Sequence, residues 1–279
     1  MTKETQAGRH WRHAAPSHPL SVRLVCWFLG SVLIAFVVIP LVGLVVQSGG
    51  TIAKAADMAE VRNSIALSVE AALMSAALAA LIGVPLAYVL ARSSFPGKGV
   101  IAAIIDLPLA VPHTVAGIAL LIVFGRHGVL GEPLQSLTGL KFWGTTAGIV
   151  VAMAFVSAPY TVNAARIAFE AVDPRLEKVA RTLGLGPWRT FMRISLPLAR
   201  RGIMTGITLT FARSISEFGA VAILVYYPMT APVKIYELFL RFGLDQAVGA
   251  AVLLLGVSLS LFVLFRYLAR AHDTIRETR

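Results

Sequence analysis

Arg213 and Glu217 stand four residues apart inside an otherwise apolar run, GIMTGITLTFARSISEFGA, which begins at Gly202. Charge is costly in such a setting, and groups kept there face a cavity, a polar path or one another. The i,i+4 spacing also lets the two pair along one helix. Thr205, Thr208, Thr210, Ser214 and Ser216 share their side of the helix, which would then form one wall of a polar path. Small hydroxyl residues are equally at home in helix–helix packing, so a structural ion pair is the other reading. Met204, Ile207, Phe211, Ile215 and Phe218 recur at steps of three and four, an apolar face expected to meet lipid. Earlier in the chain, Asp106–Thr114 (DLPLAVPHT) breaks a second apolar run with two prolines. Broken helices at membrane depth are tolerated where they line a cavity or are covered by protein. The candidate path residues are therefore His113, Thr114, Thr208, Arg213, Ser216 and Glu217, with helix packing as the alternative for His113.

Bond-making chemistry finds little support. There is no G-x-x-x-x-G-K-[ST] phosphate loop: Gly97-Lys98 is followed by Gly and lacks the upstream Gly. H-E-x-x-H, a Cys/His ligand cluster and G-x-S-x-G are all missing, and His113 has no nucleophile beside it in sequence. The expectation is a chain with no catalytic residue, no metal and no cofactor of its own. An intramembrane enzyme and a secondary transporter are the rival classes.

The elements that carry these residues are membrane spans. The chain is 57% apolar and 14% charged, with a mean hydropathy of +0.77. The apolar excess falls in runs, which predict an all-α polytopic fold with six spans: 24–46, 65–90, 100–124, 145–167, 202–226 and 247–267. The first run is too long for a signal peptide and is expected to remain as a span. A net charge of +11 does not indicate nucleic acid, because the basic residues are scattered over short loops without interleaved aromatics. Lys and Arg crowd the face holding both termini and the 173–197 segment. The opposite face has only Lys54, Arg62, Arg126, Lys141, Lys234 and Arg241. The positive-inside rule then puts both termini in the cytoplasm. The single Cys26 allows no intramolecular disulfide.

Between the fourth and fifth spans lies an island of charge, DPRLEKVARTLGLGPWRTFMRISLP, Asp173–Pro197. Asp173-Pro174 predicts a capped helix start. Leu176, Val179, Ala180 and Leu183 form one stripe, and Gly184 stands where a left-handed cap is wanted. Gly186-Pro187 opens a second short helix whose Trp188, Phe191 and Met192 share a face, and Pro197 marks the next break. The segment reads as a helix–turn–helix outside the bilayer, with an apolar ridge to bury.

At these residues the chain resembles the membrane subunits of type I ABC importers, whose cytoplasmic loop has the form E-A-A-x-x-x-G, nine residues, then I-x-L-P. Ala180, Gly184, Ile194, Leu196 and Pro197 fall in that register; Lys178 stands for the family Glu, Val179 for the first Ala, and Glu177 lies one place early. The stretches from Ser216 to Ala220, Tyr226 to Pro232 and Ile235 to Glu237 are similar to molybdate/tungstate permeases, and less closely to sulfate permeases. The resemblance implies a permease domain over 60–267, with a cytoplasmic tail (1–21) and a first span and external loop (22–59) before it. A second cytoplasmic tail (268–279) follows. It also implies a multi-pass protein of the inner or plasma membrane that pairs with a second copy. ATPase subunits carrying ATP and Mg would dock on the hairpin, and an extracytoplasmic binding protein would deliver the oxyanion.

Overall fold

The computed structural model describes residues 20–277, with side chains described as far as Tyr267. The N-terminal tail expected over 1–21 thus lies almost wholly outside the described residues. These form two compact units, one up to Gln47 and one from Ser48 onward. The first is the helix α1 (Leu20–Ser48), which continues through Pro40 and exposes apolar side chains on every side. A helix apolar all round has lipid or a large protein core as its natural solvent.

The second unit is helical throughout, with no strand among the described residues. It runs α2 (Thr51–Asp57), α3 (Ala59–Arg92), α4 (Lys98–Ala110), α5 (His113–Phe124), α6 (Gly131–Thr138) and α7 (Thr146–Glu170). Then come α8 (Pro174–Thr182), α9 (Pro187–Thr190), a π-turn (Phe191–Ser195), α10 (Leu196–Ile215), α11 (Gly219–Leu224), α12 (Ala231–Phe242) and α13 (Leu244–Glu277). Among the described residues four helices are long and apolar enough to cross a membrane: α1, α3, α7 and α13 as far as Tyr267. The bent pair α4–α5, folded by 112° at Val111-Pro112, adds a fifth if counted as one span. Among the described residues α10 does not join this set, since Arg200, Arg201 and Arg213 dilute its apolar run. The chain is therefore a multi-pass, all-α membrane protein.

α3, α7 and α10 form the centre, and small residues let them approach. A Cβ on Gly206 would lie 2.8 Å from the Ala164 Cβ and 3.1 Å from the Thr161 Cα. α3 contributes Ala71, Ala72 and Ala76 to one buried apolar cluster and Ala87 to a second. Hydroxyl bridges cross the three helices: Ser214 meets Ser75 at 3.0 Å and Ser157 at 2.7 Å, and Thr161 meets Thr210 at 2.6 Å. Without a hydrophobic drive between helices in lipid, close packing and such bridges supply the association.

Several expectations are corrected here. Phe211 and Ile215 do not face lipid: both are buried in the core, with Phe211 edge-on to Phe265 of α13. Helical period finds an apolar face but cannot say what covers it. Pro197 is not a break, because α9, the π-turn and α10 form one continuous helical run. The N–H of Leu196 bonds back to the carbonyl of Phe191, five residues earlier. This wider turn shifts the register just where proline lacks its own donor. The intervening loops also hold helices: α2, α6 and α12, and α13 continues past Tyr267 to Glu277.

Candidate functional site

The hairpin is built as its sequence dictates at both ends. The Asp173 carboxylate accepts the Arg175 N–H at 2.8 Å, with Pro174 in the first turn. Gly184 has φ of +87°; its N–H bonds to the carbonyl of Arg181, and that of Leu185 to the carbonyl of Ala180. This paired closure is a Schellman cap, and the left-handed residue within it is cheap only as glycine.

Between the caps, Glu177 is the buried anchor, 5% exposed. Arg92, the last residue of α3, places its Nε 2.7 Å from Glu177 Oε1 and gives Nη2 to the Val172 carbonyl. Ser195 donates to the same carboxylate at 2.8 Å, and Tyr88 at 3.2 Å. Tyr88 is itself held between the rings of Phe169 and Phe191. Burial opposes ionisation of Glu177, but the bonds from Arg92, Ser195 and Tyr88 prevail and hold its carboxyl below the usual range. Lys178 and Val179, by contrast, point outward, while Ala180 is buried. Ile194, Leu196 and Pro197 are half-buried on the helical run into α10. The solvent side is a ridge of exposed apolar residues: Leu176, Val179, Leu183, Trp188 and Met192. Arg92, Tyr88 and Ser195 escaped sequence reading, since nothing local marks a residue as the partner of one 85 positions away.

The second site forms where two interrupted helices meet. α5 starts at His113 just after the α4–α5 bend, and α11 starts at Gly219 just after α10 ends. The two half-helices touch closely: a Cβ on Gly219 would lie 2.9 Å from the His113 Cβ, and one on Gly117 would lie 3.0 Å from the Ala220 Cα. This brings His113, Arg213, Ser216 and Glu217 together. Arg213 Nη2 lies 2.8 Å from Glu217 Oε2 and 2.6 Å from His113 Nε2, and its Nη1 reaches Ser216 at 3.4 Å. Glu217 is 1% exposed, and its Oε1 accepts the Ala220 N–H at 3.0 Å. The His113 side chain is 44% exposed, so the cluster opens on one side. Thr114 is exposed beside it, whereas Thr208 is buried and donates to the Met204 carbonyl of its own helix. Arg213 lies 12 residues beyond Arg201, about 18 Å along the axis of α10.

A third cluster, unforeseen from sequence, lies at the other end of α3 from the hairpin. Lys234 of α12 bridges Glu60 and Glu237, and Arg241 bonds Glu237 at 2.7 Å. With Asn63, Ser64 and Tyr227 these residues line a cavity of about 350 Å³. Burial works against the Lys234 charge, but Glu237 and Glu60 outweigh it and raise its pKa. Glu237 is held low, chiefly by Lys234, against a smaller opposing effect of burial and with help from Arg241.

Residues 83–273 match the family described as binding-protein-dependent transport system inner membrane component. The chain belongs to that family. This permease is 43% identical over 243 residues to the molybdate/tungstate transport system permease protein WtpB of Thermococcus kodakarensis, covering 86% of this chain and 93% of that one. It is 42% identical over 158 residues to the molybdenum transport system permease protein ModB of Escherichia coli, covering 57% and 69%. A probable sulfate transport system permease protein, cysT of Chlorokybus atmophyticus, is 40% identical over 203 residues, covering 69% of each chain. In fold, the permease matches a chain of a bacterial ABC transporter that imports alginate, with a TM-score of 0.68 at 15% identity, covering 90% of this chain and 96% of that one.

Proposed function

We propose that this permease is the membrane-spanning subunit of an ATP-driven importer for a tetrahedral oxyanion, molybdate or tungstate, handed over by an extracytoplasmic binding protein. The observation that carries the reading is the hairpin: a rigidly capped helix pair with an unpartnered apolar ridge, anchored through Glu177 to the end of α3. Such a ridge fits a groove on a separate ATPase subunit, which would hold the ATP and Mg. The topology taken with it has six crossings, the α4–α5 pair and α10 included, with both termini in the cytoplasm and a second copy completing the path. Closure of two ATPases would draw two hairpins together and turn the spans outward, and hydrolysis would reset them. The oxyanion assignment rests on the similarity to WtpB and ModB. N–H donors such as those of Arg213 would suit a dianion that must shed water without being trapped.

Sulfate is the second reading, favoured by the cysT similarity. Vesicles containing the permease, its ATPase and its binding protein test both. Molybdate uptake that tungstate suppresses and excess sulfate does not is the expected result; the reverse selectivity favours sulfate. Gly184→Val tests the coupling. A β-branched residue at φ of +87° strains the cap by about 1–2 kcal/mol, so uptake should fall while the protein still inserts. Coupled ATPase activity and uptake surviving that change would overturn the assignment of the hairpin.

A further inference from the structure

The Arg213 guanidinium has five N–H groups, the pairing with Glu217, His113 and Ser216 uses only some of them, and the side chain is 22% exposed. A guanidinium with N–H groups to spare is a ready receptor for an oxyanion; Ser216, whose hydroxyl donates to the carbonyls of Ala212 and Arg213, and His113, whose Nε2 accepts from Arg213, hold the guanidinium in place. It is occupied from within, because the Glu217 carboxylate already sits on Nη2 at 2.8 Å and is itself buried. We propose that Arg213, held in place by His113 and Ser216, is a transit site for the tetrahedral dianion, and that Glu217 is its resident competitor, lowering affinity so that the anion is released.

The inference rests on the importer reading, and it assigns a division of labour within the cluster. An unopposed arginine in low dielectric would bind a dianion tightly and stall transport, since conduction needs a site weak enough to leave. A fixed carboxylate on the same guanidinium repels the incoming anion and keeps the pair charge-balanced when the site is empty. Glu217 is suited to that task because it cannot swing away freely. Its other oxygen is tied to the Ala220 N–H at the start of α11, close to where Gly219 packs on His113. Arriving anion and departing anion thus meet a site whose counter-charge never leaves.

Glu217→Gln is the informative variant. The amide keeps a carbonyl oxygen for the Ala220 N–H, so the start of α11 retains its bond while the negative charge goes. Equilibrium dialysis of the assembled transporter with radiolabelled molybdate should show Glu217→Gln binding at least about tenfold tighter than the native protein, with slowed uptake. Tungstate and sulfate should compete. The Arg213→Gln/Glu217→Gln double variant should lose that binding. Glu217→Gln binding no more tightly than the double variant, or transporting at the native rate, would overturn the proposal. Failure of the native transporter to take up any oxyanion would instead overturn the importer reading, and the dialysis would still report whether the cluster holds a dianion.

Discussion

Glu177 and Lys178 are adjacent in sequence, yet one lies under Arg92 and the other faces solvent. The motif register puts Lys178 at the family's acidic position and Glu177 one place early. Helical phase puts Glu177, not Lys178, on the side of α8 that meets Tyr88, Arg92 and Ser195. The caps at Asp173 and Gly184 were legible because each satisfies a local demand, whereas the anchor was not, since its partners come from α3 and from the π-turn. Truncating Arg92 leaves a buried carboxylate without its cation, which costs about 3–5 kcal/mol. Arg92→Ala should therefore expose the hairpin to limited proteolysis and lower the coupling of ATP hydrolysis to uptake. Lys178→Ala should leave hairpin stability within about 0.5 kcal/mol of native, as an exposed substitution does. Equal protease resistance in Arg92→Ala and the native protein would remove Glu177 from its role as anchor.

At the scale of elements, the sequence announced the interruption in the third span through Pro108 and Pro112, but not that a second interruption would meet it. Gly219 reads in sequence as one glycine among 23. Its meaning appears only when α11 lies against α5, with Gly117 and Gly219 removing the side chains that would keep the half-helices apart. α12 escaped for the opposite reason: its apolar side is short, and one of its buried positions is a lysine. The α5–α11 crossing makes a definite prediction. In Gly117→Val the new Cβ would stand 2.9 Å from the Ile223 Cβ and 3.0 Å from the Ala220 Cα, backbone that cannot yield cheaply. Overpacking of this kind costs about 1–3 kcal/mol. The variant should shift α11, separate His113 from Arg213 and abolish uptake, while ATPase subunits still copurify through the untouched hairpin. A thermal midpoint and uptake rate equal to native would show that the half-helices are not held in this register.

Over the whole second unit, α3 is the member that joins the parts. Its 34 residues span about 51 Å and carry an ionic fastening at each end, Glu60 to Lys234 near the start and Arg92 to Glu177 at the finish. A displacement of the hairpin is thus applied to a strut whose far end holds α12 and the polar cavity. The two fastenings answer pH differently. Glu177 and Glu237 have lowered pKa values, so their contributions are present above the ordinary carboxylate range and lost as pH falls through the folded values. Lys234 has a raised pKa, so its contribution is complete below the ordinary lysine range and disappears as pH rises through the folded value. Acid should therefore loosen both ends, and strong alkali should act on the α12 end alone through Lys234. Lys234→Met keeps the stem but removes the charged hydrogen bond to half-buried Glu237, worth about 1.5–3 kcal/mol, and a weaker, solvent-screened one to exposed Glu60, and should make α12 protease-sensitive at neutral pH while sparing the hairpin. Cleavage followed across pH in native and Lys234→Met protein checks this: α12 in the variant should lose the alkaline step and keep an acid one through Glu237. Hairpin cleavage that rises together with α12 cleavage in the variant would mean that the two ends open as one unit rather than as separately fastened ends of a common strut.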